Sequence, residues 1–386
     1  MTVTPVEEPV PSGIGIPFTV ASRPQRRYSN VQTKSNFAGP GSFDIVQLPA
    51  TGWVRRVSLF FTQTFVTGSA AALATGDAPW NLINNVTLTD ATGQPVQQPI
   101  SGYQLYLVNK FFAAGSQSTN LPRAWQNPFM SPEYDYSVAG GTSGTAVFRL
   151  DIDFEQDART GYGCIPNLDS NASLQLKVDY AQYTNAFTGT GAVSASLSMR
   201  VETEYWAPVG STIGGQPVDV APPGAGDYIE TRYETQTVSA AAENLVTLTN
   251  RGGLVRGVLL ISRAAGVRTA LQAGGNLGVL LDNQPINEGI PIESHYDQYR
   301  RMYGYVGSDL TTTYQPAATK GTLTGLDRGV VPINFGGLSL GRNSWLSTRA
   351  GSLFQVKITP GAAATTLEIV TLLMQAKDAA AFYNAG

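Results

Sequence analysis

Two segments of the chain spell the same unusual phrase. Gly52-Trp-Val-Arg-Arg-Val-Ser-Leu and Gly253-Leu-Val-Arg-Gly-Val-Leu-Leu share Gly, Val-Arg, Val and Leu in identical spacing, 201 residues apart (253 − 52). Other matches follow in the same order. "FDIVQL" from Phe43 answers "NLVTLT" from Asn244. "TLTDATGQPVQQPISGY" (87–103) answers "VLLDNQPINEGIPIESHY" (279–296), each ending in a Tyr that opens a helix-like stretch. "DIDFE" at Asp151 answers "PINFG" at Pro332, "LQLKVDY" at Leu174 answers "FQVKITP" at Phe354, and "SLSMRVETEY" at Ser196 answers "TLEIVTLLMQ" at Thr366. Loop lengths shift the offset, but six matches in one order indicate a two-fold duplication. A solenoid would need more and shorter repeats.

The repeated segments are β-branched and aromatic, and turn residues bound most of them, so they read as strands. Each copy holds about eight such segments plus one short helical pattern, over 101–112 and 293–304. Eight antiparallel strands with long connections suit a jelly roll, whose two sheets protect their edges better than one open sheet. The expected fold is all-β: two tandem eight-stranded jelly-roll barrels with short helices in the loops. The Pro/Gly-rich stretch 207–226 reads as a linker. That divides the chain into an N-terminal arm (1–40), a first roll (41–206), the linker, a second roll (227–375) and a tail (376–386).

Charged residues make up only 14% of the 386, and the net charge is −3. A surface so poor in charge suits β-structure covered by neighbours better than a freely diffusing monomer. The balance gives no electrostatic case for specific nucleic-acid binding. One cysteine, Cys164, excludes an intrachain disulfide framework. The acidic, Pro-rich first residues lack the order of a signal peptide, and no apolar run reaches the length of a membrane-spanning helix. The chain reads as one made in, and left in, a cytoplasm.

Catalytic signals are thin. The single histidine, His295, sits among tyrosines and reads as packed or interfacial; Cys164 reads as a buried, inert thiol. Asp151, Asp153, Glu155 and Asp157 alternate, so one strand would set all four on one face, about 6.5–7 Å apart. Like charges so placed call for solvent, for Arg149, Arg159 or a neighbouring subunit's cation, or for a shared Ca²⁺. These readings stay open at this stage. No cofactor is implied.

The stretch "PWNLINNVTLTDATGQPVQQPISGYQLYLVNKFF" (79–112), within the duplicated architecture, resembles the double jelly-roll major capsid proteins of tailless viruses with internal membranes. The tectivirus-type bacteriophages are the nearest match, in a lineage that includes the adenovirus hexon. The resemblance implies a coat subunit of the virion, forming pseudo-hexagonal homotrimers that tile an icosahedral shell over a membrane. The implied partners are neighbouring capsomers and the vertex or minor capsid proteins. One departure is plain: Pro5, Pro9, Pro11, Pro17 and Pro24 forbid the long N-terminal helix that related coats lay on the membrane.

On this reading the crowded aromatics of the two helical stretches, Tyr103, Tyr106, Phe112, Tyr296 and Tyr299, are candidates for subunit contacts, since interfaces are rich in such residues. Arg23, Arg26 and Arg27 are candidates for an arm that docks on a neighbour, and Phe382 does the same from the tail. The "VRRV" and "VRG" arginines (Arg55, Arg56, Arg256) are expected to bridge barrel to barrel. Two rival functions remain: a receptor-binding spike or minor coat protein, and a carbohydrate-active β-sandwich enzyme using the "DIDFEQD" carboxylates or Glu202 and Glu204.

Overall fold

A computed structural model describes residues 15–70, 73–112, 140–157, 160–188, 191–303, 327–335, 345–348 and 353–375. Two sandwiches of antiparallel strands follow one another along the chain. In the first, strands β1 (Pro24–Tyr28) and β2 (Gln32–Ser35) share a sheet with β3 (Gly52–Thr67), β6 (Ser143–Asp153), β7 (Ile165–Asn167) and β9 (Ala192–Trp206). The facing sheet holds β4 (Ile83–Thr89), β5 (Pro95–Ile100), β8 (Gln175–Tyr180) and the short pieces Gly41–Ser42 and Val46–Gln47. Helix α1 (Gly102–Phe112) follows β5.

The second sandwich repeats this plan. Its larger sheet contains β10 (Tyr228–Thr237), β12 (Leu254–Ala264), β15 (Val330–Asn334), β16 (Leu346–Ser347) and β18 (Thr366–Gln375). Its smaller sheet runs β11 (Asn244–Thr247), β17 (Phe354–Ile358), β13 (Asn276–Leu281), β14 (Gln284–Pro291), and α2 (Ile292–Tyr303) follows. All six sequence matches fall on equivalent strands: β12 pairs with β18 and β15 as β3 pairs with β9 and β6.

The register explains the repeated phrase. Val54 and Arg56 oppose Tyr205 and Glu204, leaving Arg55 as an extra residue, and Arg256 is likewise extra between Val255 and Gly257. Both are β-bulges, which bend a strand and strengthen its twist. Each bulged carbonyl is then bonded by the partner strand's exit, Arg55 by Phe154 N–H and Arg256 by Phe335 N–H, both at 3.0 Å. Beyond the bulge, Val57, Leu59, Phe61 and Phe65 point into the core while Thr62, Thr64 and Val66 face out.

Of the N-terminal arm expected over 1–40, the part that forms β1 and β2 pairs with β9 as β10 pairs with β18 and so lies in the sheet of the first roll; residues 1–14 lie outside the described residues. Phe18 and Phe37 are buried as well. Phe18 packs edge-on against Trp53 and Trp206, with ring centroids 6.4 Å away in each case, and these three rings enclose Cys164. Ile16 forms a parallel bridge to Val218 in the inter-roll linker. The tail, with Phe382, lies outside the described residues.

Candidate functional site

The two rolls meet along a seam built mainly from β5 and α1 of the first roll and the larger sheet of the second. Every described residue of α1 except Lys110 is buried, which is the composition of a helix covered on all sides. One flank follows the free edge of β6, where Asn109 exchanges two hydrogen bonds with the Asp151 backbone (2.7 and 2.9 Å). The other flank lies on the second roll, with Phe112 against Gly257. Gln97 of β5 donates to the Thr231 carbonyl of β10 at 3.3 Å, and Gln104 donates to Glu368 at 3.3 Å.

Charges cross the seam in pairs. Asp77 of the first roll accepts from Arg263 (2.7 Å) and Arg268 (2.6 Å) of the second. Lys110 meets Asp327 at 2.5 Å, both side chains almost wholly enclosed. Burial works against the Arg263 guanidinium, but Asp77 and Glu368 outweigh it and hold its pKa above the ordinary value. Tyr103 lies beneath Arg263 and Arg268 (5.7 and 4.9 Å), and burial pushes its phenol well above the usual range. Breaking such a pair strands a buried charge, at a cost of about 3–5 kcal/mol. The rolls are therefore held in one fixed arrangement. Arg256 crosses to Gln156 of the first roll at 2.7 Å. Arg55 and Arg56 do not cross: they pair with Glu155 and Asp153 inside the first roll.

Several expected sites are placed differently. Tyr103 and Phe112 are buried at the seam, Tyr106 is buried against Trp80 within the first roll, and Tyr296 and Tyr299 are buried on α2. None of the five faces solvent, where a neighbouring subunit would meet it. Tyr103 and Phe112 line the interface that joins the two rolls of one chain.

The four carboxylates do not share one face either, because β6 ends at Asp153. Asp151 accepts from Arg149 at 2.7 Å, and Asp153 pairs with Arg56. Glu155 takes Arg55 and the Trp206 indole N–H (2.8 Å). Asp157 sits in a turn bridged to Tyr162. Among the described residues no three metal-ligating side chains converge. Asp151 is buried with Oδ2 lacking a hydrogen bond; burial, then the Asp153 charge, raises its pKa. Burial and the nearby Glu155 raise the Cys164 thiol well above its usual value, the condition of an unreactive thiol.

Arg23, Arg26 and Arg27 are exposed on or beside β1. Arg26 reaches Glu202 (3.3 Å) and Glu204 (3.2 Å) while staying 63% exposed, and Arg27 donates to the Tyr205 hydroxyl at 2.9 Å. Sequence reading missed the match of Arg27-Tyr28 with Arg232-Tyr233. The two pairs occupy the same register positions, since Arg26 and Thr231 stand at equivalent ends of the rows Arg26–Glu204–Arg56 and Thr231–Leu372–Gly257.

No protein-family model matches the sequence, and no curated protein matches it significantly. Solved structures do. The STIV MCP is 13% identical with a TM-score of 0.61, over 92% of this chain and 97% of that one. A chain from the atomic structure of Sulfolobus Turreted Icosahedral Virus is 14% identical with a TM-score of 0.60, over 94% of each. The PBCV-1 virus capsid gives 12% identity and a TM-score of 0.53, over 92% and 94%. The chain has the double jelly-roll fold of these viral capsid structures.

Proposed function

We propose that this protein is a major coat protein: a homotrimer whose six rolls form a pseudo-hexagon and tile an icosahedral virion shell over an internal membrane. One observation carries the reading. Two rolls of the same topology are fixed side by side by buried cross-seam ion pairs, which supports a chain that contributes two of the six rolls of such a ring. The likeness to capsid structures over nearly the whole chain supports it. On this reading neighbouring trimers and vertex or minor capsid proteins are the partners, and assembly is the function. The carboxylates of the enzyme reading, Asp153, Glu202 and Glu204, are engaged by Arg56 and Arg26. The test is light scattering and negative-stain imaging of the purified protein. Pseudo-hexagonal particles of three chains are expected, and a monomer at micromolar concentration would refute the proposal.

A further inference from the structure

The contact that seats the first helix is rebuilt from different parts in the second roll. In the first, Trp80 precedes β4 and stacks on Tyr106 of α1, with ring centroids 3.7 Å apart and planes 18° apart. Gly102 makes room for it, since a Cβ there would overlap the Trp80 carbonyl oxygen. The repeat equates Tyr103 with Tyr296, hence Tyr106 with Tyr299 and Gly102 with His295. The three residues ahead of β4 are Trp80-Asn-Leu82; the three ahead of β13 are Ala273-Gly-Gly275, which carry no ring. The ring that meets Tyr299 is instead His295, from the helix itself, at 5.8 Å and 32°.

This exchange sets the chain's single histidine in an apolar stripe. Ile292, His295, Tyr296 and Tyr299 are the buried residues among the described side chains of α2, spaced as one packed helix face. His295 is 7% exposed, and no described group hydrogen-bonds its Nε2. Glu293 and Asp297, the charged residues among those side chains, are both exposed, and Tyr296 and Tyr299 stay neutral throughout the acid range. Beside the helix, β13 and the turn 273–275 hold no titratable residue and β14 holds only Glu288. Two bonds pin the helix start to that turn. Ile292 N–H donates to the Gly275 carbonyl (2.9 Å), and Gly274 N–H donates to Glu293 (2.6 Å).

We infer that His295 is an acid-sensitive latch: while neutral it holds α2 on the second roll, and its protonation unseats the helix. The inference needs only the fold and goes beyond the coat reading. A charge placed on a buried stripe is costly unless a partner or water meets it, and lifting α2 lets water do so. Burial holds the imidazole pKa below its ordinary 6.5. Above that value the ring is neutral whether the helix is seated or not. Below it the unseated form takes the proton first, so the seat weakens as pH falls from 6.5 to the seated pKa and no further. Trp80 does not titrate, so the first-roll helix keeps its seat.

One histidine gives one imidazole signal, so an NMR titration of the intact chain reads this group directly. Its midpoint should lie below 6.5. Hydrogen exchange over 292–299, corrected for intrinsic rates, should rise about tenfold between about pH 7.5 and about pH 5.5, the factor by which an unseated imidazole gains protons. Exchange over 102–112 should not rise. His295→Phe keeps a ring against Tyr299 and should abolish the rise. His295→Gln, neutral but ringless, should loosen α2 equally at both pH values. A midpoint at or above 6.5, exchange over 292–299 that ignores pH, or a rise that persists in both variants overturns the inference.

Discussion

Phe112, the last residue of the first-roll helix, lies so close over Gly257 that a Cβ on Gly257 would overlap its ring. The equivalent residue in the first roll is Arg56, so this glycine answers to the seam and not to the bulge. Gly257→Ala should lower stability by about 1–3 kcal/mol through overpacking. Adding Phe112→Leu should recover part of that loss while costing stability on its own. Denaturant titration of the four proteins in this cycle checks the coupling.

Lys110 and Asp327 form the most deeply enclosed ion pair across the seam. Lys110→Met should cost about 3–5 kcal/mol, because Asp327 is then buried without its partner. Pairing it with Asp327→Leu should return most of that loss. A double variant no more stable than Lys110→Met would show that Lys110 acts by packing alone.

Asp151 gives stability a pH dependence. Below the ordinary carboxyl pKa of 3.8 the group is protonated whether the chain is folded or not. Above it the unfolded chain ionises first, because burial and Asp153 raise the folded pKa. Stability is therefore lost as pH rises through that window. Asp151→Asn keeps an acceptor for Arg149 and should flatten the fall. Melting temperatures from pH 3 upward, measured on both proteins, would show it; parallel curves would contradict it.

Phe18 is fully enclosed by Trp53 and Trp206. Phe18→Ala should cost about 3 kcal/mol. Deleting 2–27 removes Phe18 and most of β1 and should destabilise the first roll itself. Thermal melts of the variant and of the truncation check both outcomes.

The duplication was legible because its strands follow in one order and the Val-Arg phrase marks the same bulge in both rolls. β1 was not legible. Pro24-Gln-Arg-Arg-Tyr28 is exposed on both faces, so it has no alternation to read, and only strand register reveals its kinship with β10. The role of α1 was half legible: its aromatics announced an interface, but Gln104, Asn109 and Lys110 read as a polar side, and only the structure shows Gln104 and Asn109 buried with the rest. The carboxylate run misled because period-two spacing continues past Asp153, where the strand stops.

Ile16 is bridged to Val218 of the segment that crosses between the rolls, and Phe18 is wedged between Trp53 and Trp206 at the ends of β3 and β9. One short stretch thus clips together the crossing segment and the two central strands of the first roll. Tension applied to the chain ahead of Ile16 would load that clip before it could peel β1 from β9.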